Sequence, residues 1–409
     1  MLIILVATLL ISFTLISNLK GTKNSFFNLS FIITTPPLIG LLYYGIISSF
    51  QIPIGQKEFI DPIFSEISLK YCSSIISLVL ILSLIKYFYP SLVKAKNQKL
   101  PDIKTTFLTC ILFLFLESIL KLLDISIHLK ILFYELSNIS LILLISSLFI
   151  KLKVHKSIYK LLLMSSISTL IYFLFTFDKG FMISIFSSIF LILIGSKNTG
   201  LKINSLQTNI IILFGSFFLP FLNFLEQFYL TIRNKVTIAS DETFKSLTEA
   251  MESTILTNYH HVFYKCEFNQ PISIIETITS PFRAILGMDL SFYQHNFMKT
   301  CFPLERANGA GRGFGLITES ALSNELPTFL YFSLAAIAFI LIFEFIYFRF
   351  SLFGLLVYSQ SIEIIYKLTR GDVASSIFSL IYTLIASFII YRIILIINPY
   401  LNNSENSIG

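Results

Sequence analysis

Apolar residues recur along this chain in runs of about 18–22, the length an α-helix needs to cross a hydrocarbon core of about 30 Å. Short polar stretches, many of them rich in lysine, separate the runs. The runs fall at 1–18, 26–50, 68–89, 105–123, 129–150, 158–177, 180–196, 209–229, 326–348, 350–367 and 376–397. The pattern predicts an all-α integral membrane protein of about eleven transmembrane helices. Residues 1–18 read as the first span and not as a signal peptide, since they lack a basic leading region and a small-residue cleavage site. No soluble catalytic domain is expected at either end.

One long polar interval breaks this rhythm, and it divides the chain into an N-terminal bundle of about eight helices over 1–229, a large loop over 230–325, and about three C-terminal helices over 326–409. Inside the loop, Phe244, Leu247, Met251 and Ile255 lie at helical spacing, which predicts a short amphipathic helix over 242–257 on the membrane surface. A second helix is expected over 272–287, with Ile274, Ile275 and Ile278 facing lipid or protein and Pro281 kinking it or ending its regular part.

Charge orients the spans. Lys20 and Lys23, then Lys94, Lys96, Lys99 and Lys104, then Lys151, Lys153, Lys156 and Lys160, then Lys197 and Lys202 occupy alternate connections. An excess of lysine marks the cytoplasmic side. The long loop and the Arg370-Gly371-Asp372 turn then face outward, with the N-terminus outside and the C-terminus in the cytoplasm. Only 13% of residues are charged and 55% are hydrophobic, too little charge to cover a water-soluble surface. The net charge of +7 follows from this lysine bias without invoking an acidic partner, and nucleic acid is not expected. With no tryptophan and nineteen tyrosines, tyrosine has to supply the interfacial belt.

The densest candidate chemistry is the run Ala307-Asn308-Gly309-Ala310-Gly311-Arg312-Gly313-Phe314-Gly315. Alternating glycines let backbone N–H groups converge on an anion, and a guanidinium adds a bidentate clamp. Gly311, Gly313, Gly315, Arg306 and Arg312 therefore suit a phosphate or pyrophosphate; the plainer reading is a flexible re-entry loop. Arg233, at the outer end of the eighth span, and Arg370, between the last two, could converge on the same interface or serve singly as snorkelling anchors. Candidate general bases in the loop are Glu319, His295 and His260, with His261, Glu267, Glu276 and Glu305 behind them. Glu319 comes first, because partial burial where the loop re-enters the membrane would raise its pKa. No Asp-x-Asp pair occurs in the loop and His260 and His261 are adjacent, so a metal-free, cofactor-free site is expected. Intramembrane Lys121, Asp124, Lys130, Glu135, Glu344 and Glu363 could form a proton path, although several lie within snorkelling reach of an interface. Cys72 and Cys110 fall in spans. Cys266 and Cys301 fall in the loop, where an oxidising compartment would let them pair and add roughly 3–4 kcal/mol.

The segment Gly311-Arg312-Gly313-Phe314-Gly315-Leu316-Ile317-Thr318-Glu319-Ser320-Ala321 resembles the glycine-rich, Glu-containing outer loop before a late span in Wzy-type polysaccharide polymerases. Arg233 before a large outer loop and the Arg370-Gly371-Asp372 turn before the last helix extend the likeness. Where such proteins continue with an aromatic and an Asn-Phe-Gly run, this chain has Ala321-Leu322-Ser323-Asn324-Glu325. The resemblance implies a GT-C-like membrane glycosyltransferase of the bacterial inner membrane. Such an enzyme moves a growing glycan from undecaprenyl pyrophosphate to a lipid-linked repeat unit on the periplasmic face, and it works beside a flippase and a chain-length regulator. An O-antigen ligase, a lipid-linked oligosaccharide flippase or other transporter, and a structural assembly subunit remain the alternatives.

Overall fold

The computed structural model describes residues 29–30, 32–34, 60–88, 100–123, 125–152, 160, 163–164, 166–167, 170, 185, 187–189, 262–263, 266, 268, 271–288, 292–303, 314–350 and 352–398. Within them lie ten helices: α1 (Ile60–Phe88), α2 (Ile103–Leu122), α3 (Ile127–Lys151), α4 (Ile274–Ile285), α5 (Tyr293–Cys301), α6 (Leu316–Leu322), α7 (Thr328–Arg349), α8 (Leu352–Ser359), α9 (Ser361–Arg370) and α10 (Val373–Ile397). No strand occurs among the described residues, only one isolated bridge between Ile272 and Ser323.

Five of these, α1, α2, α3, α7 and α10, are long and apolar enough to cross a membrane. They match the expected spans at 68–89, 105–123, 129–150, 326–348 and 376–397. The spans expected at 1–18, 26–50, 158–177, 180–196 and 209–229, and the surface helix at 242–257, lie wholly or largely outside the described residues. The outer faces of the bundle carry the second mark of a membrane protein. In α1, Ile67, Tyr71, Ile75, Leu78 and Leu82 are buried, yet the opposite stripe is Leu69, Ile76, Leu80 and Leu84, about half exposed. A helix facing water would put polar residues there; a helix facing hydrocarbon has no reason to.

Packing runs α2 on α3, α3 on α10, and α1 on α7. Without a hydrophobic drive between apolar helices, small hydroxyl residues help to join them. Ser137 Oγ donates to the Phe113 carbonyl at 3.1 Å, and Ser333 Oγ to the Ser74 carbonyl at 3.2 Å. At one end of the bundle, Asn398 Nδ2 donates to Asp102 Oδ1 at 3.2 Å and Ser147 Oγ to the Pro101 carbonyl at 3.4 Å. The starts of α2 and α10's tail therefore share that end with the last turns of α3. The opposite end holds the start of α10, the end of α9, and helices α4 to α6.

One expectation is corrected, and at Pro281 one of the two expected outcomes is excluded. The span expected at 350–367 is two helices, interrupted at Gln360, whose N–H closes a tight turn on the Val357 carbonyl at 3.1 Å. Ser359, Gln360 and Ser361 put three polar side chains at the interruption, and Ser359 Oγ takes the Leu356 carbonyl at 2.6 Å, a local bond that competes with regular helix. Pro281 does not end its helix, for α4 continues to Ile285. The Thr277 carbonyl, which proline cannot serve, receives the Ser280 hydroxyl at 3.5 Å. The described part of the polar loop packs against the spans: Phe268, Phe297, Phe302 and Phe314 lie ring to ring, with centroids 5.4–6.0 Å apart, inside the same apolar core.

Candidate functional site

Phe314 is the anchor from which the site is built. Seated in the phenylalanine cluster, it delivers Gly315 with φ of +89°, a left-handed conformation that an L side chain adopts only under strain. Gly315 N–H donates to the Gly371 carbonyl at 2.9 Å, and its own carbonyl accepts the Glu319 N–H at 3.0 Å as α6 begins. The end of the glycine run is thereby docked on the Arg370-Gly371-Asp372 turn. Gly371 is equally constrained, because a Cβ there would sit 2.8 Å from the Lys367 carbonyl and 3.2 Å from Gln294 Oε1.

Glu319 lies beneath this contact, fully buried. Tyr331 of α7 donates its hydroxyl to Oε1 at 2.8 Å, and the Val373 N–H, an orphan donor in the first turn of α10, donates to Oε2 at 2.8 Å. Burial pushes its carboxyl well above the usual carboxylate range, to about 8, and the negative charge of Asp372 adds to the effect. Asp372 caps α10: its Oδ1 accepts the Ser375 N–H at 2.7 Å, and its Oδ2 accepts the Gln294 N–H from α5 at 2.9 Å. Residues from α5, α6, α7, α9 and α10 therefore meet in one hydrogen-bonded node.

His295 follows Gln294 and is exposed beside the node, its ring stacked on Phe292 with centroids 5.7 Å apart. Phe292 packs with Ala284, Ala374 and Phe378, which holds α4 and the start of α5 against the first turns of α10. On the other side Tyr293 is buried, and its hydroxyl donates to Glu276 Oε2 at 3.2 Å while accepting the Ser273 N–H at 3.3 Å. Burial, with Glu276 beside it, pushes this phenol up to about 12. Glu325 Oε2 accepts the Ile274 N–H at 3.3 Å at the start of α4. The outward stripe of α4 is Ile275, Ile278, Phe282 and Leu286, each at least half exposed. It follows a 3.6-residue period and continues the apolar exterior of the bundle.

Of the residues expected at the site, the structure brings Gly315, Glu319 and the Arg370-Gly371-Asp372 backbone together, with His295 at the edge. Arg233, His260, Arg306, Gly311, Arg312 and Gly313 lie outside the described residues, as does the Arg370 side chain. Cys266 and Cys301 are free thiols that lie within hydrogen-bonding reach, and burial with that contact raises the Cys301 thiol. Among the described residues no three His, Cys, Asp or Glu side chains gather as metal ligands. Sequence reasoning missed Asp372 as a node residue, although an Asp followed three residues on by Ser at the start of an apolar run is a readable N-cap. It also missed Tyr331, Gln294 and Tyr293, which carry no local signal.

The fold and this node define a helical membrane protein in which the described part of the polar segment is folded onto the ends of the last helices. Compared with known proteins, the chain matches no family model, no curated protein and no solved structure.

Proposed function

We propose that this chain is a metal-independent membrane glycosyltransferase, a Wzy-type polymerase that extends a glycan on undecaprenyl pyrophosphate at the extracytoplasmic face of a bacterial inner membrane. The observation that carries the reading is the Gly315 N–H bond to the Gly371 carbonyl. It ties Gly315, the last residue of the glycine run, to the turn that follows α9, and these are two segments far apart in sequence that the reaction needs at one place.

In this reading a hydroxyl oxygen of the lipid-linked acceptor attacks the anomeric carbon of the donor glycan. The bond from that carbon to the pyrophosphate oxygen breaks, and its electron pair leaves with undecaprenyl pyrophosphate. Arg233, Arg306, Arg312 and Arg370, with the N–H groups of Gly311 and Gly313, stabilise the charge that develops on the leaving group. The acceptor proton passes to His295, with His260 as the other histidine candidate, since Glu319 has both oxygens engaged and no exposed surface. Glu319 is assigned instead as the positioning residue that holds the turn under the glycine run. The apolar stripe of α4 gives the polyprenyl chain or membrane lipid a surface beside the node.

The test incubates the purified protein, in EDTA, with a defined lipid-pyrophosphate-linked repeat unit. A mass ladder of added repeat units supports the polymerase; transfer to lipid A-core alone supports a ligase. A second reading, a lipid-linked oligosaccharide transporter, is favoured by the helix interrupted at Gln360 amid buried charges, an arrangement that transporters use at their binding sites. Absence of a ladder together with movement of labelled lipid between vesicle leaflets would establish it. A chain-length regulator and a flippase are the partners the polymerase reading expects.

A further inference from the structure

A charged cluster inside the bundle is used by none of these steps. Lys367 Nζ of α9 lies 2.9 Å from Glu363 Oε1 and 3.8 Å from Glu135 Oε1 of α3. Asn138 Nδ2 donates to Glu363 Oε2 at 2.5 Å and to Gln360 Oε1 at 3.3 Å. Thr383 Oγ1 of α10 donates to Glu135 Oε2 at 3.4 Å, and Lys367 Nζ to Ser379 Oγ at 3.4 Å. Glu135, Asn138, Gln360, Glu363 and Thr383 are all buried, while Lys367 is partly exposed. Glu135 and Thr383 lie about 12 Å and 15 Å along α3 and α10 from the ends nearest the Glu319 node, well inside an apolar slab.

Among the described residues two carboxylates face one ammonium, which leaves one uncompensated negative charge when both are ionised, an expensive arrangement in hydrocarbon. A metal cation would have to compete with the ammonium already between the carboxylates. A proton on either carboxyl neutralises the cluster and needs no coordination shell. A second observation points the same way. Gln360 is both the interruption between α8 and α9 and a member of the cluster, and among the described residues its buried Nε2 has no acceptor and the buried Ser361 Oγ beside it has no partner. Irregular backbone at membrane depth persists where protein or a water-lined cavity satisfies it, and a water there would complete a hydrogen-bonded path to the carboxyls.

The other titratable groups of the packed helices are engaged elsewhere or lie nearer solvent. His128 Nδ1 meets the Tyr382 hydroxyl at 2.6 Å, Tyr358 donates to Glu344 Oε1 at 3.1 Å, and Glu319 is held in its own node. Asp372 is occupied as the cap of α10, Glu117 and Lys130 are half-buried, and Arg349 and Arg392 are exposed.

We propose that the Glu135–Lys367–Glu363 cluster is a proton-binding site holding one exchangeable proton between its two carboxylates. The inference is independent of the glycan reaction. It gives α9 a load at each end, since the helix that carries Glu363 and Lys367 finishes in the turn that receives Gly315.

The test is infrared difference spectroscopy of the full chain in lipid bilayers during pH jumps, read without any glycan substrate. Glu319 is itself a buried glutamate carboxyl raised to about 8, so the reference chain for the test is Glu319→Gln. The expected result is one protonated-carboxyl band per protein in that chain, which titrates while the chain stays folded and moves when the glutamate side-chain carboxyls are isotopically labelled. The band should vanish when Glu135→Gln or Glu363→Gln is added, and with Lys367→Met it should titrate at higher pH. No titrating band in the Glu319→Gln chain, a band moved by labelled aspartate instead, or one that persists with both further Gln substitutions overturns the proposal. In the labelled wild type two titrating glutamate carboxyls support it and a single one overturns it, which decides even where a variant does not fold.

Discussion

Replacing Glu319 with alanine removes the acceptor of two buried donors at once. The Val373 N–H and the Tyr331 hydroxyl, each 2.8 Å from a carboxyl oxygen, would be left without partners. An unsatisfied buried group costs about 1–3 kcal/mol, so Glu319→Ala should destabilise by about 2–6 kcal/mol, before any loss from the cavity. Glutamine is the informative contrast. Its amide keeps an oxygen for the Val373 N–H, and the Tyr331 hydroxyl can rotate to accept from the amide nitrogen, so Glu319→Gln should cost about 1 kcal/mol or less. The two also differ in pH response. The folded pKa of about 8 lies above the ordinary value of 4.5, so the native state holds the proton more tightly than the unfolded chain. That contribution is fully present below 4.5 and is lost as pH rises to about 8. Wild type should therefore lose melting temperature across this window, and Glu319→Gln should lose much less. The chain has no tryptophan, but Cys72 and Cys110 are buried thiols outside any disulfide. A thiol-reactive dye, added after Cys266 and Cys301 are blocked, reports unfolding in detergent. Wild-type melting of Glu319→Ala, or identical pH slopes for wild type and Glu319→Gln, would refute the brace. Chain extension that survives in Glu319→Gln separates the brace from a general base, which glutamine could not replace.

Gly315→Ala should cost about 1–2 kcal/mol through its left-handed backbone and should weaken chain extension, because the Gly371 contact moves with it; thermal melts and the ladder assay read the two effects. His295 is exposed, so His295→Ala should leave stability within about 0.5 kcal/mol while lowering chain extension by roughly 10²–10⁴-fold, and undiminished extension removes it as the base. Mild oxidation should join Cys266 and Cys301, seen as the loss of two hydrogens by mass and a gain of roughly 3–4 kcal/mol; two thiols that remain alkylatable would show that the pair does not close.

The five spans that the described residues show were legible because an apolar run of bilayer length is longer than most buried helices of soluble domains and carries no polar face to turn toward water. What hydropathy could not see was helix outside the bilayer. α1 begins at Ile60, well before the expected start at residue 68, and Glu66 with Lys70 forms an i,i+4 pair at 2.8 Å in its early turns. Polarity there marks the limit of the membrane and not the limit of the helix. The interruption at Gln360 was hidden for the opposite reason, because one amide between two serines barely lowers the apolarity of the run. The amphipathic α4 was visible in the spacing of Ile274, Ile275 and Ile278, whereas the bond that lets it pass Pro281 was not.

The candidate site divides along the same physical line. Glu319 stood out because it follows the glycine run and precedes a span, and burial was the expected way to raise its pKa. Its partners were not legible: the groups that hold it are Tyr331, one helix later, and Val373, at the start of the last helix. A carboxyl placed by local sequence looks like a base; the same carboxyl covered by a distant turn is a brace. That turn is itself the end of α9; Glu135 and Glu363 were legible as charges inside apolar runs, and the helical spacing of Gln360, the N-cap of α9, with Glu363 and Lys367 is the signal that could have joined Lys367 to them. The chemistry assigned to the outer surface and the charge buried below it are thus joined by a single ten-residue helix, and a change in the charge of the cluster has a short covalent route to the glycine run. Rigid coupling along α9 predicts that variants of Glu363 alter hydrogen exchange at Gly315 and Gly371, although no side chain of the cluster touches either glycine in the contacts that define the node.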